Sequence, residues 1–280
     1  MMSIAAPVPR RGAVVLVHGA GSGSSAIWDL RFRDYSMMRA LACAGFDTYA
    51  VDVRGFGGSS RPIALELASE AGPPAVRAEE AARDLGAAVA FAAATSSVST
   101  VDIVAWSWGC DVTGLYAGRE PGRVRRLVLY APVYDRRWPA RHKTRGAWRV
   151  ERKHPLLELY DPQREEWTVW VEHVDAMFRF AGGDELRLPN GPYRDLYGPD
   201  APVWDAAKIR APVLIVRGDK DPASLEVHAR RLYDALIHAP ERRYLLVAGA
   251  SHFLPRERRY KQLQGAVLDF LTTEPLLVPE

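Results

Sequence analysis

The chain has 280 residues, 48% of them hydrophobic and 25% charged, which are the proportions of a globular protein and exclude a wholly disordered chain. The net charge of +3, from 37 basic and 34 acidic residues, is too small to indicate nucleic acid or an anionic membrane as a partner. No signal-peptide pattern is visible at the N-terminus, so none is expected. The sequence also has no apolar run of about 18 residues that could span a membrane and no metal-ligand spacing around its two cysteines.

Strand-like and helix-like segments then alternate along the chain. Apolar, β-branched runs predict strands, and Ala-rich or amphipathic runs predict helices. Because continuous apolar strands alternate with helices, we expect a doubly wound, mostly parallel α/β sheet that is covered on both faces. The predicted strands are 13–17, 48–53, 101–105, 126–130, 213–217 and 243–247, and the predicted helices are 35–44, 76–94, 109–119, 225–236 and 256–271.

The segment 133–205 interrupts this alternation, because no clear strand is visible in it. It predicts a helical lid inserted into a core formed by residues 1–132 and 206–280. Five of the eight tryptophans lie in this segment: Trp138, Trp148, Trp167, Trp170 and Trp204. They either form the core of the inserted helices or shape an apolar or aromatic pocket. The candidate pocket residues are Gly21, Trp106, Trp138, Trp148, Trp167 and Trp170.

The first part of this segment, residues 136–153, is strongly basic and contains Glu151 as its one acidic residue. A basic stretch of this kind could dock an acidic carrier protein or the phosphates of coenzyme A. It could equally be the solvated face of a helix. The sequence leaves both interpretations open.

The most informative stretch is VDIVAWSWG, residues 101–109, in which a predicted strand runs directly into Ser107 and then into a helix. The residues two positions before and after the serine, Ala105 and Gly109, are small, as a sharp strand-to-helix turn requires. Such a turn projects the hydroxyl above the edge of the sheet, next to free N–H groups of the helix N-terminus. Ser107 is therefore predicted to be a nucleophile.

A serine hydroxyl needs a base, and the base needs a carboxylate that orients it. The strand after the inserted segment is followed by GDKD, which contains Asp219 and Asp221, and the last strand is followed by AGASH, which ends in His252. Ligands of such sheets bind at the carboxyl ends of the strands. The sequence therefore places a serine, a carboxylate and a histidine at one edge of the sheet.

With these motifs the sequence resembles the α/β-hydrolase superfamily, in its serine hydrolase branch of esterases and thioesterases, over nearly the whole chain. The matching motifs are HGAG at 18–21, DVRGFGGS at 52–59, the turn around Ser107, GDKD at 218–221 and GASH at 249–252. Only about a dozen residues precede the first strand, so the N-terminal strands of that fold are expected to be missing or reduced.

The resemblance also implies roles for individual residues. It implies that Asp221 is the acid of the triad, with Asp219 as the alternative. It implies that the backbone N–H groups of Ala20 and Trp108 form the oxyanion hole, and we expect His18 to brace the loop that carries Ala20. Asp111, in the first turn of the following helix, is explained by a favourable contact with the helix dipole.

The predicted function is that of a cytoplasmic serine hydrolase that needs no metal and no cofactor. It would cleave an ester or thioester of an apolar or aromatic small molecule, free or bound to a carrier or coenzyme A. The same triad could serve an acyltransferase, a lyase, a carbon–carbon bond hydrolase or a receptor that binds a small signal. The sequence does not indicate an oligomeric state.

Overall fold

The computed structural model describes residues 1–7, 9–135 and 146–273. Its strands are β1 Met2–Ile4, β2 Gly12–Val17, β3 Phe46–Val51, β4 Val101–Trp106, β5 Val124–Tyr130, β6 Trp148–Arg152, β7 Glu185–Pro189, β8 Val213–Gly218 and β9 Arg242–Val247. Its helices are α1 Ser25–Trp28, α2 Met37–Cys43, α3 Ala78–Ser96, α4 Gly109–Arg119, α5 Lys153–Leu157, α6 Trp167–Phe178, α7 Gly191–Tyr197, α8 Glu226–Ala235 and α9 Tyr260–Thr272.

In this part of the chain, seven strands form one sheet in the order β1-β3-β2-β4-β5-β8-β9. Every neighbouring pair except β1 with β3 is parallel. Val17 at the end of β2 pairs with Ala105 of β4, and Trp106 pairs with Tyr130 of β5. The carboxyl ends of the central strands therefore meet at one edge, which confirms the predicted doubly wound, mostly parallel sheet.

The N-terminal part of the sheet is reduced, as the resemblance predicted. The described residues before β2 contribute one strand of three residues, β1, in which Met2 pairs with Ala50 of β3 in the antiparallel direction. The last predicted helix begins later than expected, at Tyr260, because Leu254–Arg256 form a separate 3-10 turn.

Two hydrophobic clusters cover the two faces of the sheet. Successive side chains of a strand point to opposite faces, so Val15 and Val17 of β2 belong to one cluster and Val14 and Leu16 belong to the other. The first cluster includes side chains of α3 and α4, and the second includes side chains of α2 and α9. The central strands are buried on both faces, which explains why they are continuous apolar runs.

The inserted segment between β5 and β8 is not purely helical, and this corrects the sequence interpretation. Besides α5, α6 and α7 it contains a second sheet, in which β6 and β7 pair in the antiparallel direction. The two strands are far apart along the chain, so the sequence contains no hairpin-turn signal between them. The charged residues Arg149 and Glu151 of β6 occupy alternate positions, as side chains on one face of a strand do.

The inserted segment packs on the same cluster as the sheet. Trp170, Val174 and Phe178 of α6 are spaced four residues apart and therefore lie on one face of the helix. All three belong to the cluster that contains Val15 and Val17. The boundaries of a separate lid, 133–205, stay a prediction. No helix in the described ranges is both long and apolar enough to cross a membrane.

Candidate active site

Ser107 lies at the turn between β4 and α4 in a left-handed backbone conformation, with φ of 55°. A residue with a Cβ atom holds this conformation at a cost of about 1–3 kcal/mol, which the surrounding hydrogen bonds must offset. The Ser107 N–H donates to the Tyr130 carbonyl at 2.9 Å, and its carbonyl accepts from Cys110 at 2.9 Å. A Cβ atom at Gly109 would lie 2.6 Å from the His18 carbonyl oxygen, so the turn requires glycine there.

The side chains of Ser107, His252 and Asp221 form a continuous chain of hydrogen bonds. His252 Nε2 lies 2.9 Å from Ser107 Oγ, and His252 Nδ1 lies 2.8 Å from Asp221 Oδ2. The carboxylate can only accept, so Nδ1 carries the hydrogen and Nε2 is free to accept the serine proton. The other carboxylate oxygen, Oδ1, accepts from the N–H groups of Ala223 and Ser224 at 2.8 Å each.

Asp219, the alternative acid, lies elsewhere. Its Oδ1 accepts a hydrogen bond from the Gly249 N–H at 2.6 Å. Gly249 has a φ of 72° and lies in the turn that leads to His252. Asp219 therefore ties the loop after β8 to the loop after β9, and Asp221 is the aspartate that contacts the histidine.

Trp106 packs against the histidine as well as lining the cavity. Its indole N–H donates to the His252 carbonyl at 2.9 Å, and the two ring centroids are 5.5 Å apart. Phe253 contacts both rings from the next position in the chain. Trp106, a predicted pocket residue, therefore lines the cavity and also contacts the segment that carries His252.

The loop that carries Ala20 lies directly beside Ser107. A Cβ atom at Gly19 would be 3.1 Å from Ser107 Cβ. Within the described residues, the backbone N–H groups of Ala20 and Trp108 donate to no other protein group. Two free backbone donors next to a nucleophile are what an oxyanion hole requires.

His18 holds the loop that carries Ala20 through two hydrogen bonds. Its Nδ1 donates to the Gly19 carbonyl at 2.7 Å, and its Nε2 accepts from the Val53 N–H at 3.1 Å. The ring is fully buried, and burial lowers the pKa of His18 below its ordinary value. A neutral ring satisfies both hydrogen bonds, as the expected bracing contact requires.

A cavity of about 660 Å³ opens beside His252 between the sheet edge and the inserted segment. Three of the predicted pocket residues, Gly21, Trp106 and Trp170, line it. Trp148 and Trp167 do not, which corrects the sequence interpretation. The Trp148 indole N–H donates to the Leu67 carbonyl at 3.0 Å, and Trp167 is 51% exposed and packs on Tyr160.

Trp138 lies outside the described residues, as does most of the basic stretch 136–153. The apolar part of the cavity wall also includes residues that the sequence did not single out: Leu156, Leu159, Val174, Met177 and Phe253.

The cavity wall is also more charged than the predicted apolar pocket. Four basic and four acidic side chains line it: Arg149, Arg164, Lys220, Arg256, Glu151, Asp161, Glu165 and Glu257. Most of these residues belong to the inserted segment or to the turn after His252. No sequence motif predicts that these charged residues line one cavity, because they come together only when the inserted segment folds over the sheet edge.

Asp111 has a different environment from the one expected. It is buried, and its Oδ1 accepts from the Trp204 indole N–H at 2.9 Å. Burial and the charge of Asp195 raise the pKa of Asp111 well above its ordinary value. Asp195 in turn accepts from the Trp108 indole N–H at 3.0 Å. These carboxyl groups therefore anchor α4 and Trp108, the residue after Ser107, to the inserted segment.

The described side chains contain no group of three or more His, Cys, Asp or Glu residues that could hold a metal ion.

Residues 8–259 match a family model described as serine aminopeptidase S33. Among solved structures, the chain is similar to a monoacylglycerol lipase of Paleococcus ferrophilus, with 20% identity, a TM-score of 0.64 and 96% of each chain covered. It is also similar to a thioesterase domain from the curacin biosynthetic pathway, with 13% identity, a TM-score of 0.67 and coverage of 97% of this chain and 94% of that one.

A third similar structure is the meta-cleavage product hydrolase of Pseudomonas fluorescens IP01, with 16% identity, a TM-score of 0.66 and coverage of 96% and 92%. No curated protein matches the sequence significantly. At such low identities the structural likenesses show the fold alone, whereas the family model covers most of the chain. The chain therefore belongs to the serine aminopeptidase S33 family of α/β hydrolases.

Proposed function

We propose that this α/β hydrolase cleaves an ester or thioester of a small molecule through Ser107, His252 and Asp221. The observation that carries the proposal is the unbroken chain of hydrogen bonds from Ser107 Oγ through His252 to Asp221, beside a cavity of about 660 Å³. A cavity of that volume can enclose most of a small organic substrate. A cytoplasmic location and a carrier-bound or coenzyme A-bound substrate stay predictions from the sequence.

The geometry supports a two-step acyl transfer. His252 Nε2 takes the proton of Ser107 as Oγ attacks the acyl carbonyl, and Asp221 stabilises the imidazolium that forms. The N–H groups of Ala20 and Trp108 would hold the oxyanion. His252 then gives the proton to the leaving alcohol or thiol, which departs and leaves an acyl-serine. Water repeats the sequence with His252 as base, releasing the acid and restoring Ser107.

The proposal is tested first by labelling with a fluorophosphonate and measuring the intact mass. We expect one adduct on the wild-type protein and none on Ser107→Ala. The same variant should lose turnover of any accepted ester by about 10⁴- to 10⁶-fold. A folded wild-type protein that takes up no label would contradict an activated serine.

A panel of esters and thioesters then identifies the reaction. The acyltransferase, lyase and carbon–carbon hydrolase alternatives would begin from the same activated Ser107. Product analysis with and without a competing alcohol identifies the transferase, because a transferase forms the new ester in preference to the free acid. Release of the free acid in equal amounts under both conditions supports hydrolysis.

A further inference from the structure

Arg256 and His173 form a polar part of the cavity wall that the chemistry at Ser107 does not use. Arg256 lies at the end of the 3-10 turn that follows His252, and His173 lies on α6 of the inserted segment. Arg256 is 7% exposed and His173 is 3% exposed, yet both line the same cavity as His252. Polar groups buried this deeply normally have hydrogen-bond partners.

The guanidinium of Arg256 has hydrogen-bond donors left over. Its carbon lies 4.2 Å from the ring centroid of Trp170 and 4.0 Å from that of Phe253, so aromatic rings pack closely on it. Its Nε donates to Glu165 Oε1 at 2.6 Å. The two terminal nitrogens, Nη1 and Nη2, donate to no protein group in the described ranges. These nitrogens are the donors that Arg256 can offer to a molecule in the cavity.

His173 offers an acceptor. Its Nδ1 lies 2.5 Å from the Ala26 carbonyl oxygen, and because a carbonyl only accepts, Nδ1 carries the hydrogen. Burial, followed by the positive charge of Arg256, lowers the pKa of His173 to about 3, so the ring is neutral. Nε2 is then an acceptor, and no donor in the described part of the protein reaches it.

The charges around the cavity argue against an anionic partner for this pair. The four basic and four acidic side chains of the wall balance each other. Arg256 is already paired with Glu165, and the charge of Glu257 acts on it as well. A carboxylate placed here would add uncompensated negative charge in a buried region. It would also have no hydrogen to donate to His173.

We propose that Arg256 and His173 form a second subsite that binds an uncharged hydroxyl or amide group of the substrate, remote from the scissile carbonyl. The oxygen of that group accepts from Nη of Arg256, and its O–H or N–H donates to Nε2 of His173. The inference rests on the proposed function, because it assigns the substrate class of the same cavity.

The test uses four series of p-nitrophenyl esters of matched chain lengths, whose acyl chains end in methyl, hydroxyl, primary carboxamide or carboxylate. At the best chain length we expect kcat/KM for the hydroxyl or carboxamide ester to exceed that of the methyl ester by about 10- to 100-fold, because unpaired buried polar groups reject an apolar substrate. The carboxylate ester should show no such advantage.

Two variants connect the preference to these residues. Arg256→Lys retains the charge beside Glu165 but removes the paired Nη donors, so the preference should fall to within about threefold. Arg258→Lys is the matched control, because Arg258 is on the same segment, outside the cavity wall and 51% exposed. It should retain the preference. If Arg256→Lys does not fold, His173→Phe makes the same test by removing the acceptor.

The possible failures are distinguishable. Equal turnover of the methyl and polar esters, or a preference for the carboxylate ester, overturns the subsite while leaving the serine hydrolase intact. A preference that survives both Arg256→Lys and His173→Phe also overturns it. Turnover of none of the esters by folded wild-type protein overturns the proposed function and the subsite together.

Discussion

Arg149 of β6 donates a hydrogen bond from Nη2 to the carbonyl oxygen of Ala20 at 3.1 Å. Its Nη1 donates to the Pro189 carbonyl at 2.8 Å, and its guanidinium carbon lies 4.2 Å from the ring centroid of Tyr193. One side chain of the inserted segment therefore holds the loop whose N–H is predicted to stabilise the oxyanion. The inserted segment thus contacts the predicted oxyanion loop besides forming the cavity wall.

Replacing Arg149 with Gln should lower kcat for a small ester by about tenfold and leave KM within about twofold. The physical reason is that a loosely held oxyanion loop weakens an interaction made mainly in the transition state. Steady-state kinetics measures the two constants separately. Arg152→Gln is the control, because Arg152 is on the same strand, 64% exposed and paired with Glu185. A rise in KM with unchanged kcat would show instead that Arg149 binds substrate.

Asp221→Asn should lower kcat by about 10⁴-fold, because an amide in place of the carboxylate favours the wrong tautomer of His252. Asp219→Asn should lower it by less than about tenfold, because Asp219 contacts the Gly249 N–H and the Lys220 ammonium and not His252. Rates with one ester for both variants, at matched circular dichroism, provide the comparison. Similar losses of kcat in the two variants would mean that both substitutions act by disturbing the loop after β8, and not by removing a carboxylate from His252.

His173 should make folding stability depend on pH. Its folded pKa of about 3 lies below the ordinary value of 6.5, so below pH 6.5 the unfolded chain binds a proton that the folded protein does not. Stability is therefore lost as the pH falls from about 6.5 towards 3, by about 2 kcal/mol for this group between pH 7 and pH 5. Urea unfolding at these two pH values measures the change.

Asp102 acts in the opposite direction, because burial raises its pKa to about 6 and the folded protein then takes up the proton first. Asp102 is present in both wild type and His173→Gln, so its contribution to the pH dependence cancels when the two are compared. The variant should lose about 2 kcal/mol of the pH dependence, whereas His154→Gln, at a side chain that is 86% exposed, should retain it. An unchanged pH dependence in His173→Gln would contradict a neutral buried ring.

Gly114→Ala in α4 should destabilise the protein by more than about 2 kcal/mol, because a Cβ atom there would overlap the indole of Trp204. Gly265→Ala in α9 should stabilise it by about 0.5–1 kcal/mol, because nothing lies within 4 Å of the added Cβ. Urea denaturation of both variants measures the change in the free energy of unfolding and therefore its sign in each variant. A stabilising Gly114→Ala would mean that Trp204 does not pack closely on α4.

The sequence by itself determined the sheet and the edge at which the candidate catalytic residues lie. Continuous apolar strands between helices can be buried on both faces only in a doubly wound sheet. The strand ends of such a sheet converge, so Ser107, Asp221 and His252, each placed just after a strand, meet at one edge. The pattern around Ser107 is local, because a sharp turn needs small neighbours whatever the rest of the chain does.

The tertiary structure alone decided which side chains surround those residues. Arg149, His173 and Arg256 come from three separate elements and meet only when the inserted segment packs over the sheet edge. The same packing decided that Trp170 lines the cavity while Trp148 and Trp167 do not. Composition and periodicity report which residues are apolar, but contacts between distant segments depend on where the inserted segment lies, and no local pattern encodes that position.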